Sequence, residues 1–344
     1  MRLLPAGRHL FLVAALSLLA LVAAASSVWS QVITQFPVPA GTGPEGITSG
    51  PDGALWFAAA GANAIGRITT TGAVTLFPVS GEPNFITAGP DGNLWYTQST
   101  GNVVGRMTPE GVVTQFTLPS GSLQPQGITR GADGALWFAI FSNQIGRISV
   151  DGAIDVYPIL TGAGEPSGIA AGSDGALWFT EEFGFRVGRS STSGTIVDYQ
   201  LAGSGVPNGI TSGPDGALWF TRVFPDAIGR ISTSGQITEF PLPPSSPQGI
   251  TTGPDGNLWF VATEGFVGRM TPTGSLTQFP FATPVALVSG ITVGPDGAIW
   301  FTDLGDRIWR ITVPGVAIPA ISAVGSSILL LLLISTGALL LRRR

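Results

Sequence analysis

The chain has 344 residues, with 49 Gly and 27 Pro against only 11% charged residues, which points to short strands joined by tight turns rather than to a helical enzyme. There is no Cys, the single His is His9 in an apolar leader, and all 16 basic residues are Arg. Thiolate and imidazole chemistry, histidine-ligated zinc, a Ser-His-Asp triad, Schiff bases and a phosphate-binding lysine are thereby excluded from the mature chain.

Residues 1–30 read as a secretory signal peptide. Arg2 and Arg8 form its basic start, residues 10–22 its apolar run, and Ala23, Ala24, Ala25 and Ser26 a small-residue cleavage zone. Residues 31–313 follow as one repeating domain. Trp56, Trp95, Trp137, Trp178, Trp219, Trp259 and Trp300 recur every 39 to 42 residues, each in a Gly-x-Asp-Gly-x-(Leu/Ile)-Trp-(Phe/Tyr) block. An Arg stands ten or eleven residues after each, from Arg67 in the first unit to Arg310 in the seventh. A period near 41 with four short apolar runs per unit is the signature of a β-propeller blade.

In the first unit the predicted strands are Gly46-Ile47-Thr48, Ala54-Leu55-Trp56-Phe57, Ile65-Gly66-Arg67-Ile68-Thr69 and Val74-Thr75-Leu76-Phe77. Gly50-Pro51-Asp52-Gly53 is a tight turn between the first two. The runs are continuously apolar because each blade is sandwiched between two others, burying both sheet faces. The tryptophans are expected to fill the wedge between blades, with Gly66 and its equivalents leaving room for them. The arginines are expected to hold blades together through carbonyls or turn aspartates.

First, second and third strands occur seven times, but the fourth follows only six of them. The missing copy is at the front: Val32-Ile33-Thr34-Gln35-Phe36-Pro37 matches Ile237-Thr238-Glu239-Phe240-Pro241. The expected fold is therefore an all-β, seven-bladed β-propeller whose ring is closed by the N-terminal strand in the last blade, which removes open edges. A linear solenoid would want capping repeats and leaves the displaced strand unexplained.

Residues 314–344 complete the chain as a linker, a charge-free apolar stretch over 324–341 and the cluster Arg342, Arg343, Arg344. The stretch is long enough for a transmembrane helix, with the Arg cluster cytoplasmic and the propeller outside. With Ile318-Pro319-Ala320-Ile321-Ser322 ahead of it, this end resembles a bacterial C-terminal sorting signal, departing from it at Ala320 and Ile321. The protein is expected at the cell envelope or surface, held in the membrane by this helix or released after tail processing.

Features present seven times are architecture, so function is sought where the repeat breaks. The residue before each Gly-Ile-Thr should ring one channel mouth: Glu45, Asn84, Gln126, Ser167, Asn208, Gln248, Ser289. Residues following each Trp-Phe-x add Gln98, Glu181, Glu182, Arg222, Glu264 and Asp303. Glu181 and Glu182 would point apart on a strand and could converge in a loop. Such a polar, net acidic mouth suits a small polar ligand, a peptide, an envelope polysaccharide or a hard cation, and equally a solvated surface. Glu45, Asn84, Gln126, Asn208, Gln248 and Glu264 are the binding candidates. Nucleic acid is excluded as a partner, since 11 Arg face 21 carboxylates between the two ends.

The repeat Pro-x-Gly-Ile-Thr-x-Gly-Pro-Asp-Gly-x-Leu-Trp-Phe-Thr, then Ile-Gly-Arg-Ile, then Gly-x-Ile-Thr-Glu-Phe-Pro-Leu-Pro resembles the streptogramin B (virginiamycin B) lyase family. Residues 206–243 carry it almost uninterrupted, within an overall likeness over 32–312. The resemblance implies a seven-bladed propeller that linearises a cyclic depsipeptide by elimination at its ester, using Mg2+ and a histidine base. It places the family's histidines before Gly-Ile-Thr in the last two blades, where this chain has Gln248 and Ser289. Neither is a base near neutral pH. Asp303 is the retained acidic position and the candidate metal contact, with Glu45 and Glu264 as neighbouring carboxylates able to hold Mg2+ or Ca2+ beside it. Three functions stay open: a binding propeller without the family chemistry, a metal-dependent lyase or lactonase using carboxylates, and a structural envelope component.

Overall fold

The Gly-x-Asp-Gly turn sets each second strand in place, and its aspartate then holds that strand's tryptophan. In the first blade the Gly50 amide donates to the Ala54 carbonyl at 2.8 Å, and Gly53 takes φ +74°, a left-handed conformation that suits glycine. Asp52 accepts from the Trp56 indole at 2.9 Å and from Arg67 Nε at 2.6 Å. The Arg67 guanidinium stands 6.0 Å from the Trp56 ring centroid, completing a carboxylate–indole–guanidinium clamp. Asp215 holds Trp219 and Arg230 in the same way at 2.9 and 2.6 Å, and Asp296 holds Trp300 and Arg310 at the same distances. These bonds keep Asp52, Asp133, Asp174, Asp215 and Asp255 below the usual carboxylate range, against a partial burial that pushes the other way. The arginines thus act on turn aspartates, but inside a blade. Arg106 differs: it lies 4.0 Å from Asp91 and donates to the Val150 carbonyl of blade three at 2.9 Å.

The clamp makes a direct prediction. Asp215→Ala leaves the buried Trp219 N–H without its acceptor and Arg230 without its partner, and is expected to destabilise the protein by about 1–3 kcal/mol. Denaturant unfolding measures this, and an unshifted midpoint would show the clamp to be idle.

The computed structural model describes residues 32–119, 124–162, 164–281 and 287–313. Among them, 28 strands form seven four-stranded antiparallel sheets. Blade one consists of Pro44–Ser49, Leu55–Ala59, Ala64–Ile68 and Val74–Pro78. The second strand is buried at every position in all seven blades, as a strand covered on both faces must be. One face of blade one sets Trp56, Ile65 and Phe77 against Ile86, Leu94, Tyr96 and Met107 of blade two. The other sets Phe57, Ala59, Ala64 and Leu76 against Trp300 and Ile308 of blade seven.

The third-strand glycine has a different role from the one expected. A Cβ on Gly66 would fall 2.0 Å from the Phe57 ring, and one on Gly229 2.1 Å from Phe220. This glycine makes room for the aromatic after the tryptophan. Room for the tryptophan itself comes from the turn: a Cβ on Gly50 would lie 2.2 Å from Trp56.

The N-terminal strand closes the ring as expected. Ile33–Pro37 pairs antiparallel with Arg307–Ile311, from Ile33 opposite Ile311 to Pro37 opposite Arg307. Phe36 stacks on Trp300 with centroids 5.2 Å apart, the place Phe77 takes on Trp56 at 5.4 Å. The Asp306 carboxylate accepts from the Gly41 amide at 2.7 Å and the Gly43 amide at 2.9 Å, tying the last hairpin to the loop that follows this strand. The leader at 1–30, the apolar stretch at 324–341 and the sorting-type run lie outside the described residues. Among the described residues no helix is long and apolar enough to cross a membrane.

Candidate functional site

Each first strand carries a bulge at the same place. In blade one the register slips between Pro44 and Ile47, so Glu45 and Gly46 leave the ladder. The slip recurs in all the others. The bulge glycine lets inner strands of adjacent blades approach closely: a Cβ on Gly290 would lie 2.6 Å from the Glu45 carbonyl, and one on Gly249 2.5 Å from that of Ser289. Hydroxyls then bridge three seams. Thr180 donates to the Asn208 carbonyl and Thr221 to the Gln248 carbonyl, each at 2.6 Å, and Thr302 donates to the Glu45 carbonyl.

This backbone arrangement holds a polar ring around a cavity of about 230 Å³. Ser167, Asn208, Gln248 and Ser289 line it, with one isoleucine from every blade beside them. Ring amides are joined across blades: Asn208 donates to Gln248 Oε1 at 2.8 Å, and Asn84 to Gln126 Oε1 at 3.3 Å and to Ser99 Oγ at 3.1 Å. Glu45 occupies the same strand position in blade one and is half-buried. Burial, then the neighbouring Glu82 charge, push its carboxyl up to about 7. Glu182, hydrogen-bonded to Ser167, is also raised, by burial first and by Glu165, with the Ser167 hydroxyl opposing.

The expected site residues separate into two groups. Glu45, Asn84, Gln126, Asn208 and Gln248 share the ring position. Glu264 stands apart, exposed on the blade-six hairpin with its amide donating to the Ser245 carbonyl at 3.3 Å. Asp303 is fully buried. Its carboxylate meets Arg307 at 2.7 Å, the Gly305 amide at 2.7 Å and the Trp309 indole at 3.3 Å. Glu45, Glu264 and Asp303 therefore do not converge as a cation site, and among the described residues no group of three or more His, Asp or Glu could hold a metal. Apart from Glu45 the ring offers neutral amides and hydroxyls, and a cation at Asp303 would have to displace Arg307. These residues do not fit the family's Mg2+.

Sequence reading missed a second carboxyl pair. The position three after each tryptophan, at the far end of the second strand, holds Ala59, Gln98, Ile140, Glu181, Arg222, Ala262 and Asp303. In blade two Gln115 of the fourth strand donates to Gln98 at 2.9 Å, and in blade five Glu239 pairs with Arg222. In blade four the corresponding residues are both acids, Glu181 and Asp198. Glu181 is fully buried, no donor reaches either of its oxygens, and Arg186 stops 3.9 Å away. Burial, then the Asp198 carboxyl, raise Glu181 to about 8, with Arg186 opposing.

A sequence model described as the virginiamycin B lyase family matches residues 28–203 and 142–321. A virginiamycin B lyase of Bordetella parapertussis is 52% identical over 50 residues, 14% of this chain and 16% of that protein. The chain thus spans about a sixth of that curated relative's length in the match. Among solved structures, a catalytically inactive histidine-to-alanine variant of virginiamycin B lyase from Staphylococcus aureus, crystallised with quinupristin, is 35% identical with a TM-score of 0.79. The match covers 83% of this chain and all of that one. A streptogramin B lyase structure is 34% identical with the same TM-score, covering 83% and 99%.

Proposed function

The chain belongs to the virginiamycin B lyase family, and from that membership we propose that it is an exported, surface-anchored propeller that binds a small polar ligand, a peptide or envelope polysaccharide at the channel mouth without the family's catalytic histidines. One observation carries this reading: Gln248 and Ser289 stand where the resemblance puts those histidines, and His9 is the single histidine of the chain. An amide does not titrate usefully, and a serine hydroxyl itself needs an activating base. The leader and the apolar, Arg-ended tail support export and anchoring. Protease added to intact cells should reach the propeller, and a full-length chain free in the cytoplasm would reject that placement.

The chemistry is tested with purified protein, excess Mg2+ and virginiamycin B, following ring opening by mass spectrometry. Loss of a positioned base is expected to slow opening roughly 10²–10⁴-fold against a family lyase. Opening at lyase-like rates would defeat the reading. A second reading, a lyase or lactonase with a carboxylate base, is favoured by Glu45, whose carboxyl at the mouth is poised near neutral pH. A base acts when deprotonated, so residual turnover would rise with pH through about 7 and vanish in Glu45→Gln.

A further inference from the structure

The hairpins joining second to third strands break the repeat in one sector of the mouth. In blades one, two, six and seven they begin with Ala60, Ser99, Thr263 and Leu304. In blades three, four and five they carry Phe141, Phe183 and Phe224. Phe183 is 60% and Phe224 73% exposed. Phe141 meets Phe183 edge-on across two blades, with centroids 6.4 Å apart. A single exposed aromatic needs no explanation, but two exposed rings beside the half-buried Phe141, at one hairpin on consecutive blades, make a shelf. The shelf lies at the strand ends that form the polar ring: the Phe141 amide donates to the Gln124 carbonyl at 3.1 Å, and the Glu182 amide to the Glu165 carbonyl at 3.3 Å.

Charge decides what such a shelf accepts. Glu182 precedes Phe183 and its amide is bonded to the Glu165 carbonyl, which brings both acidic residues to this hairpin, and neither is in an ion pair among the described residues. The two arginines that flank these hairpins in sequence, Arg186 and Arg222, are already partnered. Arg186 donates to the Thr161 carbonyl at 2.8 Å and to Gln200 at 3.1 Å. Arg222 is buried, pairs with Glu239 and donates to the Ala202 carbonyl at 2.7 Å. Resting on the reading of the mouth as a binding site, we propose that Phe141, Phe183 and Phe224, with Glu165 and Glu182, dock a basic peptide segment of a partner protein. Guanidinium or ammonium groups would lie against the ring faces and reach the two carboxylates. An acidic partner is repelled there. A neutral saccharide would cover the carboxylates without a counter-charge.

The test is fluorescence anisotropy of a labelled Arg-Ser repeat peptide on the full-length protein, beside a Glu-Ser peptide of equal length. The Arg peptide is expected to bind, more weakly as salt rises, and the Glu peptide not to bind. Phe183→Ser with Phe224→Asn, and separately Glu165→Gln with Glu182→Gln, are each expected to weaken binding roughly tenfold. Circular dichroism should be unchanged in both, since these side chains lie outside the core. Equal binding of the two peptides, or full affinity in both double variants, would overturn the proposal. Chitobiose titrated against wild type and Asn208→Ala/Gln248→Ala separates the two levels. Saccharide binding lost in that variant, with no preference for the Arg peptide, overturns the shelf and leaves the mouth as a binding site.

Discussion

Raising the pH from about 4.5 to about 8 is expected to lower the stability of the folded protein by several kcal/mol, chiefly through Glu181. Between those values the unfolded chain has released the Glu181 proton while the folded chain still holds it against Asp198. Stability then falls by about 1.4 kcal/mol per pH unit for each such group. The contribution is complete below 4.5, where both states are protonated, and is lost as pH rises through the folded value of about 8. Glu45 adds a smaller share that is lost by about 7. The turn aspartates act in the opposite sense, since their stabilisation disappears as pH falls through their lowered values, below 3.8. Maximum stability is expected in mildly acidic solution. Urea unfolding over a pH series measures this, and Glu181→Gln should flatten the alkaline limb and be more stable than wild type at pH 8. A wild type equally stable at both ends of the range would show that Glu181 holds no proton in the folded protein.

Deleting residues 32–37 is expected to destabilise the propeller by several kcal/mol, since a ladder and a buried aromatic are lost together. The strand's five register pairs with Arg307–Ile311 disappear, and Trp300 loses Phe36 from its face. The exposed edge should also drive association between molecules. Calorimetry and gel filtration report the two effects. Unchanged melting in a monomeric deletion variant would mean that the ring does not depend on this strand.

The fold was legible because its signals repeat: seven tryptophans at one spacing and one strand out of place. The polar ring was legible from strand direction alone, since the first strand enters where the second leaves. Asp303 was not placed correctly as a site residue, although alternation carries the answer. Three positions after Trp300 it shares the face of Phe301, which points into a seam between blades rather than into the channel. Glu264 sits on a hairpin, where no periodicity fixes direction. Glu181 and Asp198 are 17 positions apart and two strands apart. They come together in a sheet where Gly188, opposite both Phe179 and Asp198, presents no side chain. Nothing in local sequence announces that proximity.

The pairing of Ile33–Pro37 with Arg307–Ile311 also orders events in time. Within the propeller the strand made first is the one whose partner is made last, with Val32 and Thr312 bonded across 280 positions. Six blades can form from nearby segments, each a local hairpin stack, while the seventh waits on a contact between the two ends of the propeller. Closure is the step of greatest loop entropy and should limit the rate of refolding. Until it occurs the molecule is an open arc with an unpaired edge at each end, the state in which two chains can exchange strands. A partner or membrane that holds both ends of the chain near one another would accelerate closure without touching a single blade.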